Sequence, residues 1–224
     1  MAAGDDNTSI ADAALASLYQ TYWYPLYAYV RRHGRSADEA SDIVQGFFVS
    51  LLERRDFARL NRERGRFRAF LLASLKHFLA NDFARRHTLK RGAGVSVAPL
   101  LLDGAEDRYV REPPDPMTPE TLYERRWALT VIDQVLAGLR AEWRQQDREH
   151  LFDALSECLL GTPPAGGYAE TAARLGMSEG AVKTAVHRLR RRFQVELYRL
   201  VSETLSEPGA ADDEIRDLIR ALNA

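Results

Sequence analysis

Lys183, Thr184, His187, Arg188 and Arg191 fall within SEGAVKTAVHRLRRRF, the stretch that begins at Ser178. Cations and hydroxyls at this spacing suit contacts to phosphate oxygens and base edges. A second set, Asn61, Arg62, Arg64, Arg66 and Arg68, surrounds Gly65 in NRERGRFR and offers a row of guanidinium groups to a phosphate backbone. The five histidines show no H-x₃-H spacing, and no Gly-rich phosphate loop or nucleophile elbow is present in the sequence. The chemistry expected is therefore binding rather than catalysis, with no metal and no cofactor.

These residues need helices to present them. At about 100° per residue, Val182, Ala185, Val186, Leu189 and Phe193 share one side of a helix. Gly180, Thr184, His187, Arg188 and Arg191 fall on the other, with Lys183 at its edge. Ser178 suits the N-cap, and Glu179 sits favourably at the positive end of the helix dipole. Just before it, YAETAARLGM predicts a short helix with Ala172 and Leu175 turned inward, ending at Gly176. A short helix, a Gly turn and a longer basic helix have the order of a helix-turn-helix, whose second helix enters the major groove. A charged stripe on its own better suits a solvated bundle helix; the turn and the first helix favour DNA.

The whole chain of 224 residues carries 31 Lys and Arg against 32 Asp and Glu, a formal net charge of −1. Distribution matters more than the sum. From Arg54 to Arg91 there are twelve bases against three acids, and from Ser178 to Arg199 six against two. Between these blocks, Asp103 to Arg125 has seven acids and three bases, and Glu203 to Asp217 has six acids and one base. Apolar residues make up 46%, enough for a real core. The single cysteine, Cys158, lies among leucines and suits a reducing compartment. The opening MAAGDDNTSIADAA lacks an apolar run, and no stretch approaches the roughly 18 apolar residues of a membrane span. The expectation is a cytoplasmic protein without membrane contact.

Strand signals are nearly absent, so the expected fold class is all-α. Helical periodicity runs over 14–32, 37–54, 66–87, 123–144 and 148–160, then through the helix-turn-helix. Between the blocks lies a Gly-, Pro- and acid-rich stretch, with four of the nine prolines between Pro113 and Pro119. The division expected is a flexible segment 1–13, a helical domain 14–91, a linker 92–122, a helix-turn-helix domain 123–201 and a tail 202–224. In the first domain, Ile43, Val44, Phe47, Phe48 and Leu51 form a buried side. Asp42, Gln45, Gly46, Val49 and Glu53 form the far side, with Glu39 nearby. A helix-interior Gly beside Gln and Val costs about 1 kcal/mol relative to Ala and suits close approach by another helix, hence a partner surface. Phe67, Phe70, Leu71, Ser74, Leu75 and Phe78 read as a core seam, while Phe57 is unassigned. In the tail, Ile215, Leu218, Ile219 and Leu222 predict a short amphipathic helix, expected to dock on the helix-turn-helix domain or to serve a regulatory role.

These pieces resemble the extracytoplasmic-function sigma factors of bacterial RNA polymerase, from about Tyr19 to Val201. DIVQGFFVSLLE is similar to the sigma-two segment that docks on the β′ clamp helices, which implies polymerase contacts for Glu39, Asp42, Gln45, Gly46, Val49 and Glu53. RGRFRAFLLASLKHFLANDFARR is similar to the loop and helix that capture and melt the minus-10 element, which implies a flipped-base pocket near Asn61 and strand contacts for Arg62, Arg64, Arg66 and Arg68. YAETAARLGMSEGAVKTAVHRLRRRF is similar to the sigma-four helix-turn-helix that reads the minus-35 element, which implies DNA contacts for Ser178, Glu179, Lys183, Thr184, His187, Arg188 and Arg191. The resemblance further implies core polymerase and promoter DNA as partners, an anti-sigma factor as a further one, and an acidic linker along the RNA path. Two departures stand out. Ser41 occupies a place where an acid is common, and GTPPAGG replaces the usual segment before the helix-turn-helix, so the docking surface for the β flap differs.

Overall fold

The computed structural model describes residues 3–53, 67–88, 105–111, 117–159, 167–205 and 210–223. All regular structure among them is helical: α1 (Ala3–Arg32), α2 (Ala37–Glu53), α3 (Phe67–Thr88), α4 (Ala105–Arg111), α5 (Pro119–Arg144), α6 (Glu149–Ser156), α7 (Gly167–Leu175), α8 (Glu179–Ser202) and α9 (Ala211–Leu222). The chain divides into two compact units, 1–130 with 204–224, and 131–203. The division falls inside α5 rather than at Tyr123, and α9 belongs with the first unit rather than with the helix-turn-helix.

In the first unit, α1 contributes a run from Thr21 to Val30 that is buried on every face, with Tyr22, Trp23, Tyr27 and Tyr29 in the core. Gly34 at φ +80° ends the helix, a conformation open to Gly without steric cost. A capping box then starts α2: the Glu39 amide donates to Ser36 Oγ at 3.2 Å, and the Ser36 amide donates to Glu39 Oε2 at 3.0 Å. Ala40, Ile43, Val44, Phe47 and Leu51 turn into the core, and Phe47 meets Phe78 of α3 edge-on at 5.8 Å between ring centroids.

The acidic stretch between the blocks is not featureless. α4 is pinned to α1 through Glu106, which takes Arg31 Nε at 3.1 Å and Nη2 at 2.7 Å and accepts from the Tyr27 hydroxyl. Arg108 lies 4.2 Å over the Tyr24 ring and Arg31 4.9 Å over Tyr109. Thr118 caps α5 by accepting from the Thr121 amide at 3.2 Å, with Pro119 at the first helical position, where its missing N–H costs nothing.

Arg68 lies at the centre of this unit. It is 4% exposed. Its Nη1 is 2.8 Å from Glu124 Oε2 of α5, its Nε 3.2 Å from Glu214 Oε1 and its Nη2 3.1 Å from Asp217 Oδ2 of α9. The guanidinium stacks 4.4 Å over Trp127, and the Arg68 carbonyl accepts from the buried Tyr123 hydroxyl at 3.0 Å. This network sets the face of α9 that turns inward. Ala211, Glu214, Leu218 and Ala221 are buried, while Ile219 is 52% exposed and Ile215 half-buried. The apolar stripe 215/218/219/222 expected from the sequence is thus rotated about Leu218, because Glu214 goes in to meet Arg68.

In the second unit, Val131, Ile132, Val135 and Leu139 of α5 form a core with Phe152 and Leu155 of α6 and with Val182, Val186, Leu189, Leu197 and Val201 of α8. Arg140 bonds Asp153 at 2.9 Å and Glu149 at 3.1 Å, and Arg190 donates to the Cys158 carbonyl at 2.6 Å. No described helix is long and apolar enough to cross a membrane.

Two outcomes follow from the first unit. Arg68→Ala strands Glu214, itself 1% exposed, as a buried charge without its cation, and urea unfolding should register a loss of about 3–5 kcal/mol. Burial alone would raise the Glu106 pKa, but the hydrogen bonds from Tyr27 and Arg31 and the Arg31 charge outweigh it and hold the carboxyl below its ordinary value. A depressed carboxyl stabilises at neutral pH, and that stabilisation is lost as pH falls through its folded-state value. The near-UV signal of Tyr27 and Tyr109 should therefore change on acidification, and Glu106→Gln should flatten that profile.

Candidate nucleic-acid interface

The helix-turn-helix is built by local chemistry. At the end of α7 the Met177 amide bonds the Ala172 carbonyl at 2.9 Å and the Gly176 amide bonds Ala173 at 3.3 Å, a Schellman motif with Gly176 at φ +63°. Ser178 follows in extended backbone, and its Oγ accepts from the Ala181 amide at 3.2 Å to cap α8.

From that start α8 separates its side chains by face. Val182, Val186 and Leu189 are buried; Ser178, Glu179, Gly180, Lys183, Thr184, His187, Arg188 and Arg191 are exposed. The structure thus brings all seven sequence-chosen residues of this helix onto one solvent-facing surface. The other cations of α8 turn elsewhere. Arg190 holds the Cys158 carbonyl, Arg192 pairs with Glu142 and Glu196, and Arg199 pairs with Glu196 and Glu203.

Two residues of the exposed face carry internal bonds that affect what they can offer. Lys183 Nζ is 2.6 Å from Glu179 Oε1, and the hydrogen bond and charge of Glu179 raise the Lys183 pKa, so the ammonium stays charged. Thr184 Oγ1 donates to the Gly180 carbonyl at 2.9 Å, which leaves its lone pairs as acceptors for a base-edge amino group.

The first-unit residues divide differently. Asn61, Arg62, Arg64 and Arg66, together with Phe57, lie outside the described residues, and the Glu53 side chain does too. Arg68 is inside the unit, engaged as above rather than presented to solvent. Its burial has a sequence signal: Arg68, Leu71, Leu72 and Leu75 fall at i, i+3, i+4 and i+7, and all four are buried. On α2, Asp42 is exposed, whereas Gln45, Gly46 and Val49 are half-buried. Glu39, half-exposed, spends its carboxylate on the capping box. The S-x-x-E pattern of Ser36 and Glu39 signals that role. The close approach expected at Gly46 is met in part within the unit, since a Cβ there would stand 3.6 Å from Phe78 Cζ.

Residues 18–88 match the Sigma-70 region 2 family, which spans α1 from Leu18 through the end of α3. That match covers the first helical block alone and is a likeness of this stretch to sigma-70 region 2. No curated protein and no solved structure matches the chain.

Since 3.6 Å is ordinary van der Waals contact, Gly46→Ala fits without displacement. It should raise the stability of the protein by about 0.5–1 kcal/mol through helix propensity, read as a higher urea midpoint at unchanged slope.

Proposed function

We propose that this chain, with residues 18–88 as its sigma-70 region 2 domain, is an RNA polymerase sigma factor of the extracytoplasmic-function type. The family match is the observation that carries the reading. The exposed face of α8 supports its second half, because a capped helix after a Gly turn with Lys183, Thr184, His187, Arg188 and Arg191 outward is the form that enters a major groove.

In this reading the chain performs no catalysis. Core polymerase supplies the active site, and the chain supplies docking and recognition. The α2 surface at Glu39, Asp42, Gln45, Gly46, Val49 and Glu53 docks on the β′ clamp helices. The stretch around Asn61 takes a base flipped from the non-template strand of the minus-10 element. Extrusion costs a few kcal/mol, offset by Arg62, Arg64 and Arg66 on the exposed backbone, with Arg68 joining them only when its cover of carboxylates is withdrawn. Lys183, Thr184, His187 and Arg188 read base edges or neighbouring phosphates of the minus-35 element, with Ser178 and Glu179 at the helix start and Arg191 on phosphate. The helix-turn-helix domain meets the β flap, an anti-sigma factor is a further partner, and the site of action is the cytoplasm. An acidic path along the RNA channel requires α4 to leave its seat on α1.

Run-off transcription with purified core polymerase on genomic fragments at low salt tests the reading. Defined start sites should appear only when the protein is added. Arg188→Ala should lower use of those starts by an amount equivalent to about 1–3 kcal/mol and relax selectivity at one minus-35 position. Arg191→Ala should weaken binding evenly across sequences and reduce the salt slope by about one. Absence of both transcription and binding to core polymerase would leave a stand-alone helix-turn-helix regulator as the better account.

A further inference from the structure

Arg68 belongs by position to the row of arginines that the proposed function lays along the melted strand, yet α9 covers it. Two carboxylates of α9, Glu214 and Asp217, lie 3.2 Å and 3.1 Å from its Nε and Nη2. Asp217 accepts a hydrogen bond from Nη2 and Glu214 stands beside Nε as an ion pair, so two anionic oxygens occupy the edge of the guanidinium that phosphate oxygens would also take. From the other side, Glu124 at 2.8 Å and the Trp127 ring at 4.4 Å, both on α5, fix the guanidinium independently of α9. Removing α9 therefore presents the fork instead of letting the side chain collapse.

The seat of α9 is one that an anion can contest. Its fully buried apolar residues are Ala211, Leu218 and Ala221, two of them small; Ile215 and Leu222 are half-buried, and Ile219 points to solvent at 52% exposure. The hold leans on the ion pairs at Arg68, and a buried ion pair returns little net stability after desolvation. A twelve-residue helix is also marginal by itself in water, so α9 released is α9 unfolded. The sequence carries the same complementarity at long range: six acids and one base from Glu203 to Asp217 against twelve bases and three acids from Arg54 to Arg91.

We propose that α9 is a built-in competitor for nucleic-acid phosphate, with its Glu214 and Asp217 carboxylates seated on Arg68 at the face where a single strand's backbone docks once α9 lifts. The proposal rests on the proposed function only for the strand's location at the start of α3. Strand binding and α9 docking are then mutually exclusive, and each weakens the other by the same factor.

The test uses the full chain and a fluorescent single-stranded oligodeoxynucleotide at low salt. Glu214→Gln with Asp217→Asn should bind the strand about tenfold more tightly than the unaltered protein, because the competent state is no longer the minor one. Adding Arg68→Met should remove that gain. Hydrogen exchange on the unaltered protein should show the amides of Ala211–Leu222 losing protection at saturating strand, and this readout decides alone where far-UV circular dichroism finds the double variant unfolded. Equal affinities together with unchanged α9 protection overturn the competitor while leaving the strand-binding reading intact. Failure of every variant to bind the strand overturns that reading and the competitor with it.

Discussion

A guanidinium held out of water among carboxylates from two other helices is the constraint on which the arrangement of the first unit depends. Arg68 contributes one cation, and Glu124, Glu214 and Asp217 approach it from α5 and α9 while Trp127 closes its face. Lysine would not substitute, because a point charge on a flexible stem lacks the flat guanidinium face that stacks on the indole while its edges stand near carboxylates. Burial raises the phenols of Tyr22 and Tyr123 around it far above the ordinary tyrosine value, which marks how dry the neighbourhood is. Ion pairs in such a place contribute more to arrangement than to net stability. They select which face of α9 turns inward at the expense of its isoleucines.

Among its described residues, the second unit shows no such centre. Its helix-turn-helix is assembled by signals a few residues apart: a left-handed Gly176, a Schellman pair of amide bonds, the Ser178 cap and a periodic apolar seam. Each is local, and each was legible in the sequence. The outward set on α8 was legible for the same reason, since the period that buries Val182, Val186 and Leu189 leaves Lys183, His187, Arg188 and Arg191 no other side. Arg190 and Arg192, equally basic in composition, are spent on internal contacts and fall off that face.

What the sequence concealed is non-local. Periodicity assigns an arginine next to an arginine-rich stretch to the surface unless its spacing to Leu71, Leu72 and Leu75 is weighed first. It cannot say that the carboxylate to meet that arginine comes from 149 positions downstream, the separation of Arg68 and Asp217. The face of α9 was misjudged by the same limit, because hydrophobicity ranks Ile219 above Glu214 and only a buried partner reverses the order. In the acid-rich connector, composition alone suggested a tether. Glu106 makes α4 an exception by finding Arg31 and Tyr27 on α1. The linker's last turn did carry readable cues in Thr118 and Pro119, the ordinary start of a helix.

The 149-residue separation between Arg68 and Asp217 also has a meaning in time. A ribosome adds about 5–20 residues per second, so on the order of ten seconds pass between the emergence of Arg68 and of the acids that complete its surroundings. By the end of that interval the second unit, 131–203, has been made in full, while the first still waits with a desolvation-averse cation at its heart. The chain is thereby made in an order that finishes its first-made half last.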